Sequence, residues 1–124
     1  MIAHEVGHHV QQELGTSGEV DRMRREQPDQ ANALSVRLEL QADCYAGVWA
    51  HSVFAAGDLE KGDVQEATRA SAAVGDDRLQ SRGGGQVNPD SFTHGSSEQR
   101  QRWFNTGFRS GSVASCNTFA AAQL

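Results

Sequence analysis

Near the start of the chain, His4-Glu5-Val6-Gly7-His8 sets two imidazoles four positions apart with a carboxylate beside the first. Four positions along a helix turn the chain by about 400°, so His4 and His8 share a face, with Cβ atoms roughly 5–6 Å apart. Both ring nitrogens can then reach one tetrahedral Zn²⁺ at about 2.0–2.1 Å. Glu5, rotated about 100° from His4, suits a general base acting on a water at the metal better than it suits a third ligand. A catalytic zinc site needs that third ligand from elsewhere.

Leu38-Glu39-Leu40-Gln41-Ala42-Asp43 offers it. Glu39 and Asp43 again stand four apart, beside the apolar residues Leu34, Leu38 and Tyr45, so both carboxylates look inward. Two unpartnered carboxylates there would be costly. Glu39 as a metal ligand and Asp43 as acceptor for a ligand histidine's second N–H satisfy both. This E-x-x-x-D helix following H-E-x-x-H resembles the arrangement of the gluzincin class. His94 and Arg100, flanking the start of an aromatic-rich helix, are read as donors to a developing oxyanion. His9 is five positions from His4 and off the metal face, and His51 suits the C-terminus of its own helix; neither is given a metal role.

These residues must be carried by a chain of 124 residues, the size of one domain spanning 1–124. Sixteen Asp and Glu against eleven Lys and Arg give a charge of −5, which lacks the basic footprint of a nucleic-acid or anionic-lipid binder. No apolar stretch approaches the roughly 20 residues of a membrane span, and no signal-peptide pattern opens the chain. Two cysteines, Cys44 and Cys116, lie 72 positions apart. Their spacing alone fits either buried thiols in a reducing compartment or one disulfide in an oxidising one.

Ile2, Val6, Val10 and Leu14 recur every four residues and predict a helix over 1–14, closed by Gly15. Residues 16–30 are polar and charged and read as an exposed connection. A long helix is expected from about Gln30 to Ala56, with Leu34, Leu38, Tyr45, Trp49 and Val53 on its buried face. Asp63 with Glu66 is read as the capping box of a third helix ending at Gly75. Asp76 to Arg82 adds a turn, Gly83-Gly84-Gly85 breaks the chain, and Asn88 to Ser91 turns it. Ser96 with Gln99 caps a last helix running to about Gly111, and the tail from Ser112 is irregular. No alternating strand pattern appears. The expected fold is an all-α lobe.

The segments HEVGHHVQ, LELQADCYAGVWA, GDDRLQ, PDSFTHGSSEQR and RWFNTGF…CNTF together resemble the neutral zinc metallopeptidase family of bacteria, over nearly the whole chain. The resemblance implies a zinc peptidase acting on peptides or proteins, with His4, His8 and Glu39 as ligands and Glu5 as general base. The Thr93-His94…Arg100 segment also resembles one in the membrane-bound CAAX prenyl proteases and heat-shock membrane metalloproteases. There a His and an Arg six residues later face the substrate; here Gly95 replaces a proline. Family members typically carry an upstream membrane anchor and face outside the cytoplasm, which implies a Cys44–Cys116 disulfide. Because the H-E-x-x-H motif begins at residue 4, the chain reads as the C-terminal part of such a protein. Its first turn, from Met1 to His4, is expected to be loosely held. The rival expectation, of a different class, is a non-catalytic helical module stabilised by zinc.

Overall fold

The computed structural model describes residues 2–124, so the expected helix start at Met1 lies outside the described residues. Six α-helices are found among them: α1 (Ile2–Glu13), α2 (Thr16–Glu26), α3 (Ala31–Ala55), α4 (Lys61–Ala73), α5 (Asp76–Arg82) and α6 (Ser97–Ser110). Short 3₁₀ turns occupy Pro28–Gln30, Pro89–Ser91 and Val113–Cys116, and the described residues contain no strand. The fold is all-α. No helix among the described residues is long and apolar enough to cross a membrane.

The long helix α3 is the axle. Every residue from Leu40 to Gly47 is buried, because α1 and α6 cover different sides of it. An amphipathic stripe therefore describes α3 poorly: Leu38 and Tyr45 are buried as expected, but Trp49 is 45% exposed. The helices approach closely where side chains are absent. A Cβ on Gly7 would lie 2.5 Å from the Ala42 carbonyl oxygen, and one on Gly107 would lie 1.9 Å from that of Cys44. Such backbone-to-backbone crossings bring polar side chains of neighbouring helices within hydrogen-bond reach across the seam.

Two further elements differ from what the sequence predicts. In α1 the apolar stripe that predicts the helix is not the face it buries: Ile2 is 82% and Leu14 64% exposed, whereas Ala3, His4, Gly7 and Gln11 are buried. Small residues permit the approach, and His4 and Gln11 find partners on α3 that make their burial tolerable. Residues 16–26 form α2 rather than a connection. Apolar periodicity is missing there, and Val20 alone is buried. Helix formation rests instead on charge pairs three and four apart, Arg22 with Glu19 and Glu26, and Arg24 with Asp21.

The helix starts follow their caps. α4 begins one turn earlier than expected, with Glu60 as N-cap and Asp63 at the third helical position, where the Asp63 carboxylate accepts the Glu60 N–H at 3.0 Å. Ser96 and Gln99 form the reciprocal pair predicted for α6, and Gly111 closes that helix with φ 61°. The tail is tied down. Cys116 is disulfide-bonded to Cys44 in the middle of α3, and the Arg37 guanidinium donates to the carbonyls of Thr118 and Ala121.

Candidate metal centre

α1 and α3 cross so that His4, His8 and Glu39 meet. The Nε2 atoms of both histidines approach the same carboxylate oxygen, Glu39 Oε2, at 2.9 Å each. One donor atom from each of the three residues lies within 4.8 Å of the others. His4 and Glu39 are largely buried and His8 is half-buried.

The far side of each imidazole is fixed by a separate acceptor. His4 Nδ1–H donates to Asp43 Oδ1 at 2.8 Å, and Asp43 is fully buried. The Arg100 guanidinium grips that carboxylate in turn, through Nε to Oδ2 at 2.8 Å and Nη2 to Oδ1 at 3.0 Å. His8 Nδ1–H donates to Gln11 Oε1 at 2.9 Å. The Gln11 amide donates to the Leu38 carbonyl at 2.7 Å and to Gln41 Oε1 at 2.9 Å, and Gln41 Nε2 reaches the Cys116 carbonyl at 3.1 Å. Both imidazoles thus carry their proton on Nδ1 when neutral, leaving both Nε2 lone pairs aimed at one point. This donor set, two imidazole nitrogens and one carboxylate oxygen with outer partners in place, fits a divalent transition metal such as zinc.

Without a metal, the three groups share protons. Burial opposes a charge on His4, but the hydrogen bonds to Asp43 and Glu39 outweigh it and push its pKa up to about 9. His8 is also raised, chiefly by its hydrogen bond to Glu39. Burial would raise Glu39, yet the bonds from the two histidines prevail and hold its carboxyl well below the ordinary range.

Glu5 stands exposed beside His4, on a cleft of about 560 Å³ that His94 and Arg100 also line. His94 is brought there by a loop anchored on α5. Asp76 Oδ2 accepts the backbone N–H groups of Thr93, His94 and Gly95 at 2.7–3.0 Å. Asp77 Oδ1 accepts both the N–H and the hydroxyl of Ser97. Burial works to raise Asp77, but those Ser97 bonds win and lower it. The His94 side chain is half-exposed, with Nε2 3.9 Å from Glu39 Oε1 and Nδ1 2.9 Å from Thr93 Oγ1.

Arg100 has a different partner from the one expected. It is 5% exposed and turned onto Asp43 and the Val74 carbonyl, so its charge is matched inside the fold rather than offered to an oxyanion. His9 is exposed beside Glu13, apart from the cluster. His51 Nδ1 lies 2.7 Å from the Phe108 carbonyl near the end of α6, rather than at the end of its own helix. Gln11, Gln41 and Asp76 are missing from the sequence-based candidates. Gln11 had one usable signal: it lies three residues after His8, on the same helix face.

The family described as "Putative neutral zinc metallopeptidase" matches residues 1–119. "Uncharacterized protein YpfJ" of Escherichia coli (strain K12) is 57% identical over 120 residues, covering 96% of this chain and 42% of that protein. "Uncharacterized protein Rv2575" of Mycobacterium tuberculosis (strain ATCC 25618 / H37Rv) is 47% identical over 135 residues, covering 100% of this chain and 44% of that protein. The chain therefore spans less than half the length of these curated relatives. No solved structure matches it.

Proposed function

The chain belongs to the neutral zinc metallopeptidase family, and from that premise we propose that it hydrolyses peptide bonds at the cluster of His4, His8 and Glu39. One observation carries the reading: two imidazoles with fixed outer partners and one carboxylate converge, and a free carboxylate, Glu5, stands beside them. A structural zinc site would be closed by a fourth protein ligand and would have no use for Glu5.

His4, His8 and Glu39 would hold the metal. Zinc supplies Lewis acidity when bound, polarising a carbonyl and acidifying water. Glu5 takes the proton from the attacking water and returns it to the leaving amine. His94 donates from Nε2 to the oxyanion of the tetrahedral species, with the Thr93 hydroxyl on its Nδ1 and Asp76 holding its backbone. Arg100 acts at one remove in this reading, as a positioning residue that orients Asp43, which orients His4. The Cys44–Cys116 disulfide supports work outside the reducing cytosol.

The test separates metal from chemistry. Glu5→Gln should retain a full complement of zinc by elemental analysis and lose hydrolysis of a casein or generic peptide substrate. Glu39→Ala should lose the zinc itself. Hydrolysis surviving in Glu5→Gln would remove the general-base assignment. The rival reading is a zinc-stabilised helical module without activity. It expects zinc to raise the melting temperature while no substrate is cleaved.

A further inference from the structure

Large apolar side chains scattered singly over a surface need no explanation, but two that line one cleft with a catalytic cluster do. Val74, just after α4, and Leu79, on α5, are each 46% exposed. Both line the cleft of about 560 Å³ shared with His4, Glu5, His94 and Arg100, and Ala70 extends the same wall. That volume lies inside the range of about 300–1,000 Å³ typical of ligand clefts.

The charged groups around the cleft decide what it can take. Arg100 is the cation that an acidic group would seek, and it is already bonded through Nε and Nη2 to Asp43 and through Nη1 to the Val74 carbonyl. Asp76, the buried acid nearest the His94 loop, spends one oxygen on three backbone N–H groups. Glu5 is exposed, so a basic group would gain only a solvated partner there. Neither Arg100 nor Asp76 is left free to reward a charged group. Apolar area is left free. On this basis, and resting on the peptidase reading above, we infer that the wall of Ala70, Val74 and Leu79 is the subsite for an uncharged apolar side chain of the residue adjoining the scissile bond.

The Arg100 to Val74 bond gives the wall its position. The same guanidinium that orients Asp43 holds the C-terminal end of α4 at 3.3 Å, so the apolar wall and the His4 side of the metal cluster are set by one group. A substrate lying along this cleft would carry the side chain beside its scissile bond past Val74 and Leu79.

The subsite is tested by binding, without turnover. Isothermal titration of the zinc-loaded chain would use acetohydroxamate, which offers the metal-binding group alone, beside N-acetyl-leucine, N-acetyl-aspartate and N-acetyl-lysine hydroxamates. The leucine compound is expected to bind at least tenfold tighter than acetohydroxamate, in line with the roughly 10–200-fold that apolar pockets give. The aspartate and lysine compounds should gain less than threefold. Leu79→Asp should abolish the leucine gain with zinc content unchanged, and Leu79→Met should restore most of it; the half-exposed position makes both variants compatible with folding. Equal affinity for all four probes, or a leucine preference that survives Leu79→Asp, overturns the subsite while leaving the metal reading intact. Failure of acetohydroxamate to bind the zinc-loaded chain overturns the open catalytic site of the peptidase reading, and the subsite falls with it.

Discussion

The two histidines of the cluster point at the same carboxylate oxygen but are held from behind by different chemistry. Behind His4 stand charges: the buried Asp43 carboxylate, itself clamped by Arg100 from α6. Behind His8 stand amides: Gln11, then Gln41, then a backbone carbonyl of the disulfide-bonded tail. A charged acceptor strengthens an imidazole's hydrogen bond and favours its protonated form, whereas an amide mainly fixes its direction. His4 is accordingly the strongly tuned imidazole and His8 the oriented one. The difference also divides the fold, since the charged support ties α1 and α3 to α6, and the amide support ties them to the tail.

The largest effect is expected where the charged support is broken. Arg100→Ala would leave the fully buried Asp43 with protonated His4 as its one remaining cation, and breaking a buried pair costs up to about 3–5 kcal/mol. Urea denaturation of the metal-free chain should show that loss of stability. A loss below about 1 kcal/mol would mean that the charged support is no stronger than an ordinary hydrogen bond.

Next comes pH. With a pKa of about 9 against about 6.5 when unfolded, protonated His4 stabilises the metal-free fold fully below pH 6.5, and that contribution is lost as pH rises through 9. Glu39, lowered in the fold, stabilises above about pH 4.3 and ceases to as pH falls through its folded value. The metal-free chain should therefore be most stable from this cluster between about pH 4.5 and 6.5. Zinc must displace the His4 proton, so its affinity should climb about tenfold per pH unit between 7 and 9. Chelator competition across that range checks it, and a flat profile would contradict a strongly tuned His4.

How far this contrast was legible in the sequence depends on the reach of each signal. His4, Glu5, His8, Glu39 and Asp43 were readable because each set lies within one helical turn, where spacing fixes the shared face. Arg100 is 57 residues from Asp43, and no spacing rule announces their bond. Gln11 and Gln41 look like ordinary helix-surface amides until the crossing at Gly7 shows that α1 presses its polar face onto α3. The same inversion misdirects the apolar stripe of α1, whose exposed Ile2 and Leu14 find no cover among the described residues. The structure of α2 was hidden for another reason: charge pairs, not apolar periodicity, sustain it.

Asp43→Asn probes the charged support more gently. The amide oxygen can still accept from His4, but its NH₂ group now confronts the Arg100 guanidinium, donor against donor. Zinc affinity is expected to fall roughly 10–100-fold, as it does when an outer partner of a metal-bound histidine is altered. The pH dependence should change with it, levelling off below 9 because His4 has lost the anion that raises it. An unaltered profile would show that Asp43 does not tune His4.

The smallest effect should come from the amide side. Gln11→Leu keeps the volume of a fully buried side chain but removes the acceptor of His8 Nδ1–H and the donor to Leu38 O and Gln41 Oε1. A neutral hydrogen bond nets about 0.5–1.5 kcal/mol and one to a charged group about 1.5–3. His8 is also the more exposed imidazole, so water can replace part of what Gln11 supplied. Zinc affinity should drop about threefold to tenfold, and its pH profile should keep the wild-type shape, because the tuned imidazole is untouched. Measured by the same chelator competition as Asp43→Asn, Gln11→Leu must be the milder variant and the one that leaves the profile in place. If it costs as much zinc affinity as Asp43→Asn, direction matters as much as charge in this cluster, and the two histidines are supported alike.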